Sequence, residues 1–350
     1  MSPRILAIRP RALGDLVLLT PALRALKRGH PDAEIEVVTD PRYVELIGWV
    51  PEVSRVWPMQ RSTLAVWRLG GELRRRHHDW VVDFFSNPRS ATLTWWCGAR
   101  RTAGFDVRGR RHAYHVRVPR DAPGPNGGRE HATMAHLRLA TAVGGKPDGK
   151  PPSLELPREV LAAGARLIEA SGLRSPSRAM GLVAAGTWPT KTWPASSAAV
   201  LSRLLLAQGR EVLLIAGPGE EAVTALLSRF APGVRLMPPC DIAGLAGAIA
   251  HLGAVVGTDS GPRHLAAAIG VPTFAWFGPT HPETWQPPGE IHGYWRSPLP
   301  CAGCDRTRCP HWNCMPGLTP DTAARAVMAH LDHVDSTRES AAALRPAAGA

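Results

Sequence analysis

Short apolar runs bounded by Gly, Pro and polar residues alternate along the chain with longer stretches of helical period. Ile5 to Ile8 reads as a buried strand, and Leu16, Leu19, Leu23 and Leu26 trace one face of a helix that Pro21 either kinks or restarts. Strand-like runs follow at Ile35 to Val38, Val53 to Trp57 and Trp80 to Phe85, with a helical stretch from Pro41 between the first two. This alternation predicts βαβ units, hence a parallel sheet with helices on both faces.

The pattern restarts in the second half with a helix over 160–170 and strands at Met180 to Ala184 and Glu211 to Ala216, separated by a helix running to about Gln208. Ala254 to Val256 is a buried strand feeding Thr258-Asp259-Ser260-Gly261, which offers N-cap chemistry ahead of a helix with Pro262 near its first position. Gly270 stops that helix, Thr273 to Phe277 is the next buried strand, and Gly278-Pro279-Thr280 forms a second loop on the same side of the sheet. Loops at the carboxyl ends of parallel strands are where open α/β sheets bind ligands. Backbone N–H groups at the helix start, with Arg263 and His264 in its first turn, suit a diphosphate. An ordinary well-capped βα turn has the same pattern.

Between the halves lies Gly144-Gly145-Lys146-Pro147-Asp148-Gly149-Lys150-Pro151-Pro152, a polar Pro/Gly-rich stretch that marks a boundary. The expected domains are 1–157 and 158–335. After a helix from Pro320 to about His333, the Ala-rich segment 336–350 has few large apolar residues and is expected to be disordered. At 350 residues the chain can build two ordinary cores. No apolar run reaches the about 20 residues of a membrane span, and the N-terminal stretch lacks the layout of a signal peptide. The expectation is a cytoplasmic chain whose six cysteines are thiols or metal ligands. The net charge of +12 points to an anionic partner without saying which.

Asp15 stands where the first loop opens into its helix, able to take a proton from a hydroxyl or simply to complement the helix dipole. Asp83 is the competing carboxylate in this half. Arg100, Arg101, Arg108, Arg110, Arg111, Arg117 and Arg120, with His112 and His115 among them, make a basic cluster that is either a solvated face or an anion site. Lys191, just before a helix start, is electrostatically misplaced unless an anion joins it. Gly217-Pro218-Gly219-Glu220-Glu221-Ala222 matches the dinucleotide fingerprint, but its two glutamates occupy the place of a pyrophosphate and Pro218 removes an N–H. Cys301, Cys304, Cys309 and Cys314 have the spacing of a zinc knuckle with Cys in place of His, without the Gly and aromatic residues that shape nucleic-acid-binding knuckles. A nicotinamide-dependent oxidoreductase and a zinc-dependent nucleic-acid-binding protein are therefore competing readings.

Taken together and in order, these segments resemble glycosyltransferase family 9, the ADP-heptose:lipopolysaccharide heptosyltransferases. The likeness rests on Arg11-Ala12-Leu13-Gly14-Asp15 with Thr20-Pro21-Ala22-Leu23, on Thr190-Lys191-Thr192-Trp193-Pro194, and on Thr258-Asp259-Ser260-Gly261 with His264. Phe277-Gly278-Pro279-Thr280 and the segment from Cys301 to Met315 complete it. The resemblance implies a GT-B fold of two Rossmann-like domains facing across a cleft, acceptor on the first and nucleotide-sugar on the second. It implies an inverting transfer of heptose from ADP-L-glycero-D-manno-heptose to a lipopolysaccharide inner-core acceptor, or the use of another nucleotide-sugar or acceptor.

On that reading Asp15 is the base, and Thr187 and Lys191 hold the donor phosphates. Ser260, Gly261 and His264 stabilise the leaving diphosphate, while Asp259 contacts the donor sugar or organises its loop. Glu221 takes the ribose, with Glu220 the other candidate. Arg61, Arg100, Arg101 and Arg111 meet a lipid-linked anionic acceptor at the cytoplasmic face of the inner membrane. Pro262 and Arg263 depart from the pattern and bear on donor preference. No metal or cofactor is expected, nor a nucleic-acid partner, and the chain is expected to be a monomer.

Overall fold

The computed structural model describes residues 2–124 and 127–343. The chain divides into two compact units: Met1–Pro157 with Asp241–Ala243, and Arg158–Cys240 with Gly244–Ala350.

Unit 1 comprises β1 (Arg4–Ile8), α1 (Leu13–Gly29), β2 (Glu34–Thr39), α2 (Val44–Gly48), β3 (Val53–Pro58), α3 (Thr63–Arg74) and β4 (Trp80–Asp83). It continues with α4 (Pro88–Trp96), β5 (Arg101–Phe105), β6 (Val116–Val118) and α5 (Ala132–Thr141). Its six strands are parallel in the order β3-β2-β1-β4-β5-β6. Val66, Leu69 and Leu73 of α3 and Leu93 and Cys97 at α4 pack on Leu6, Ile8, Val38 and Val81 of the sheet. This is the helical period buried against the strand period, with the polar face left to water.

Unit 2 carries α6 (Arg158–Ser171), β7 (Met180–Val183), α7 (Ala195–Ala207), β8 (Val212–Leu214), α8 (Glu221–Phe230), β9 (Arg235–Leu236) and α9 (Ile242–Ala250). Then come β10 (Ala254–Thr258), α10 (Gly261–Ala268), β11 (Thr273–Phe277), α11 (Pro282–Trp285), β12 (His292–Arg296) and α12 (Pro320–Ala343). Its sheet, also six-stranded and parallel, has the order β12-β11-β10-β7-β8-β9. Read from each unit's own first strand, both orders are 3-2-1-4-5-6, the Rossmann arrangement. The order reverses between β1 and β4 in one unit and between β7 and β10 in the other. Gly257 in β10 has φ 146°, and a Cβ there would collide with the Val183 carbonyl of β7, so glycine sets the backbone spacing at this second seam.

The stretch read as lying just before the boundary belongs to unit 1, whose first segment ends at Pro157, while two other expectations change. The stretch around 144–152 is strapped to α1: Arg24 pairs with Asp148 at 3.0 Å and donates to the carbonyls of Lys150 and Pro151, and Lys146 N–H reaches the Ala25 carbonyl. Helix α12 runs to Ala343 and takes in the first part of the segment expected to be disordered, because alanine-rich sequence readily extends a helix already anchored by packing. The remainder, 344–350, lies outside the described residues. Strands β5, β6, β9 and β12, short and partly exposed, carry no clear apolar alternation and were not predicted.

Candidate active site

In unit 1 the seam between β1 and β4 gathers two carboxylates and an arginine. Asp15 is the third residue of α1, and its Oδ2 accepts the Ala12 N–H at 3.2 Å. Its Oδ1 lies 2.5 Å from Nη2 of Arg9, the residue that follows β1. Arg9 is buried, donates through Nη1 to the Phe84 carbonyl at 2.6 Å, and lies over the Phe85 ring. Burial, opposed by the charge of Asp15, lowers its pKa from the usual arginine value. The Asp15 side chain keeps 29% of its surface open to solvent.

Asp83, at the end of β4, is closed off. It is fully buried and accepts hydrogen bonds from Tyr114 Oη at 2.7 Å and from the N–H groups of Phe85 and Ser86. Burial raises its pKa despite those donors. Gly104 leaves the space that the Tyr114 ring fills, so the tyrosine is held on Asp83 by packing as well. Of the two candidate bases only Asp15 can meet a substrate.

The arginines divide by sheet edge. Arg61 follows β3 and Arg111 follows β5, both exposed at the carboxyl edge where Asp15 sits; Arg61 lies 3.9 Å from Asp40, and Arg111 pairs with Asp106. Arg120, from the same basic cluster, reaches the Phe85 carbonyl at 2.5 Å and belongs to this edge as well. Arg100 and Arg101 do not join Asp15. They precede and open β5, opposite Trp80 at the amino end of β4, so strand polarity places them on the other edge of the sheet.

Unit 2 concentrates its chemistry on Asp259, which follows β10 and is 2% exposed. Its Oδ2 accepts from Lys191 Nζ at 2.9 Å and from Thr280 Oγ1 at 3.0 Å; Oδ1 accepts from Arg263 Nη2 at 2.9 Å and lies 3.5 Å from His264 Nε2. Burial alone would raise this carboxylate's pKa, but Lys191 above all, then His264 and Arg263, hold it well below the usual range. His264 is pushed down by burial and by Arg263, against the pull of Asp259. The anion that reconciles Lys191 with its place in the chain is thus Asp259. Two cations against one anion leave the cluster one positive charge in excess.

Ser260 caps α10 without any hydrogen bond from its side chain, and its Oγ is buried and unpartnered. Gly261 and Arg263 contribute N–H groups to the first turn of α10 that have no acceptor within the helix. A buried hydroxyl and free N–H donors at one helix start, beside a net positive cluster, form a place for an anion. Thr187 is exposed in the loop after β7, the loop that also carries Lys191.

Arg263 has another task than the one expected of it. Its side chain is 1% exposed and bonds Asp259, the Trp285 carbonyl and Gln286, so it ties the β10 loop to α11. Glu221 opens α8 and accepts the Gly219 N–H at 3.0 Å in full exposure, whereas Glu220 is half-buried, and burial raises its pKa. The Gly217–Ala222 match follows β8, the second strand of its unit. A dinucleotide fingerprint belongs after the first, which here is β7.

The cysteine segment lies between β12 and α12 without helix or strand of its own. It is bonded to both site loops: Trp312 Nε1 donates to the Thr190 carbonyl, Thr190 Oγ1 to the Arg306 carbonyl, and the N–H groups of Gly303 and Asp305 to the carbonyls of Gly278 and Pro279. Among the described residues no three His, Cys, Asp or Glu side chains are gathered as metal ligands. The segment acts as a brace for the loops of Lys191 and Thr280.

The model of glycosyltransferase family 9 (heptosyltransferase) matches residues 66–314. The chain belongs to glycosyltransferase family 9. It is 29% identical over 320 residues to lipopolysaccharide heptosyltransferase 1 of Pseudomonas aeruginosa, covering 87% of each chain. The structure of ADP-heptose lipopolysaccharide heptosyltransferase II from Escherichia coli superposes with a TM-score of 0.79 at 21% identity, over 95% of this chain and 99% of that one. Heptosyltransferase WaaC of E. coli, solved with ADP, gives 0.72 at 21% identity over 93% and 99%. This family member therefore has the α/β GT-B fold class of those structures, each of its units a Rossmann-like sheet with helices.

Sequence reasoning missed Arg9 and Tyr114, which fix the site's carboxylates, and named Arg120 and Thr280 only within a basic cluster and a loop, without the contacts they make. Arg9 had a signal: a charged residue directly after a buried apolar strand, at the edge where ligands bind.

Proposed function

We propose that this family 9 glycosyltransferase moves heptose from ADP-L-glycero-D-manno-heptose to an inner-core lipopolysaccharide acceptor with inversion at the anomeric carbon. The observation that carries the reading is the matched placement of complementary chemistry. An open carboxylate lies at the topological switch point of unit 1, and an anion site with excess positive charge lies at that of unit 2. The donor assignment draws on the names of the relatives, one called an ADP-heptose heptosyltransferase and another solved with ADP.

In the proposed reaction Asp15 accepts the proton of the acceptor hydroxyl. The hydroxyl oxygen then forms its bond to the anomeric carbon as the bond from that carbon to the β-phosphate oxygen breaks, and ADP leaves. Lys191, Ser260 and the start of α10 meet the charge that develops on the diphosphate, a role that fixed donors perform without reorganisation. Thr187 adds a hydroxyl to that binding, His264 donates a hydrogen bond there, and Glu221 accepts the ribose hydroxyls. Asp259 holds Lys191 in place and organises the loop around the donor site. Arg61 and Arg111 take the acceptor's anionic groups. The chain works as a cytoplasmic enzyme at the inner face of the membrane that holds its acceptor; among the described residues no helix is long and apolar enough to cross it.

The deciding experiment is calorimetric titration with ADP, UDP and NAD, coupled to turnover of ADP-heptose. ADP binding retained in Asp15→Ala with turnover down at least about 100-fold is the expected result. Wild-type turnover in that variant removes Asp15 from the mechanism, and binding of UDP alone changes the donor.

A further inference from the structure

Helix α3 has two faces. Val66, Leu69 and Leu73 are buried on the sheet, while Leu64, Trp67, Arg68 and Arg75, spaced at three, four and eleven residues, share the outward face. Leu64 is 61% and Trp67 40% exposed, and Trp95 at the end of α4 is 58% exposed beside them. The two tryptophans are organised by Trp96. Gly70 of α3 has no Cβ, and the Trp96 ring fills that space, its Nε1 donating to the Trp67 carbonyl at 3.0 Å. Trp67 stands edge-on to Trp96 at 4.7 Å, and the Trp95 ring lies 6.2 Å from it. Arg74 covers Trp96 at 5.7 Å. A tryptophan ridge fixed by a dedicated glycine, carrying an exposed leucine and edged by Arg68, Arg74 and Arg75, is a built surface.

We infer that this α3–α4 face docks on an anionic lipid bilayer. Large amphipathic rings sit at the headgroup level of membranes, exposed leucine adds apolar depth, and each arginine near an anionic surface contributes attraction. Nucleic acid is the poorer fit: the most exposed apolar side chain of the face, Leu64, offers a base no ring to stack on, whereas it adds apolar depth in a bilayer. Only Glu72 among the exposed residues of α3 opposes the positive charge, and the whole chain carries +12, so charge favours an anionic sheet over an average protein partner. The choice of a lipid occupant rests on the reading that the acceptor is lipid-linked; the surface itself does not depend on Asp15 or on the donor site.

The test is co-sedimentation of the full chain with phosphatidylethanolamine vesicles, with and without phosphatidylglycerol. The wild-type protein should pellet with the anionic vesicles and release with salt. Trp67→Ser with Trp95→Ser, and separately Arg68→Glu with Arg75→Glu, should each lower partitioning about tenfold or more while ADP affinity stays at the wild-type value. Because the ridge lies in unit 1 and ADP reports on unit 2, an unchanged urea-unfolding transition of the unit 1 signal shows that the variants are folded. Equal sedimentation of variants and wild type, absence of wild-type binding, or preferential capture of single-stranded RNA over vesicles would each overturn the proposal. Vesicle binding without heptosyl transfer would uphold the docking surface and sink the function; transfer to a soluble acceptor without vesicle binding would do the reverse.

Discussion

Arg9 holds Asp15 and the Phe84 carbonyl with the two terminal nitrogens of one guanidinium, at 2.5 and 2.6 Å, so the orientation of the candidate base is set by the end of the neighbouring strand. Because Arg9 is itself buried, its role is to position. Arg9→Met should lower kcat by about tenfold to 100-fold with little change in donor KM, and Arg9→Lys, which keeps charge but loses the second arm, should recover only part of it. Steady-state kinetics on both variants decide this; an Arg9→Met enzyme with unchanged kcat would free Asp15 from dependence on the seam.

The Asp259 cluster predicts an asymmetry between its partners. Asp259→Asn leaves Lys191 and Arg263 without their counter-charge in a buried place and should cost about 3–5 kcal/mol of stability, read by urea unfolding. Lys191→Ala leaves Asp259 paired with Arg263, so the fold is less affected, but ADP affinity should fall at least about tenfold.

Ser260 should behave in the opposite sense to an ordinary buried hydroxyl. Its Oγ makes no bond in the protein, so Ser260→Ala should leave the melting temperature unchanged or slightly raised while weakening ADP about tenfold. A destabilised variant with normal ADP affinity would make the hydroxyl structural.

Two buried histidines govern acid behaviour. Burial, reinforced by Arg9, pushes His136 down to about 4, and burial with Arg263 and His330 does the same to His292. The unfolded chain takes up these protons near the ordinary value of 6.5 and the folded chain only near 4, so stability is complete above pH 6.5 and drains away between about 6.5 and 4. The loss should be about 3 kcal/mol for each group, and His136→Gln or His292→Gln should flatten the profile of unfolding free energy against pH.

The central strands were legible because β1, β2, β4, β7, β10 and β11 are short apolar runs closed by Gly, Pro or polar residues, and the family motifs fall at their carboxyl ends. What resisted reading was what depends on neighbours distant in sequence. Arg101 and Arg111 look alike in a basic stretch, and only the direction of β5 sends them to opposite edges. Asp83 and Asp15 are equal candidates until Tyr114, 31 residues from Asp83, closes over one of them. Arg263 reads as a helix-start donor and proves to be a buried tie, because Trp285 and Gln286 return to meet it.

The strand order carries a consequence for how the protein is made. In each unit the first strand is central, and its partners on one side are synthesised immediately while the other side waits for the fourth strand. Arg9 therefore has no Phe84 carbonyl to grip until the ribosome has passed β4, and the loop of Lys191 has no Asp259 until it has passed β10. Each half of the chemistry is assembled only when a long crossover has been closed, so a chain released early carries a sheet edge but no organised charge, and activity arrives in the nascent protein as a late event.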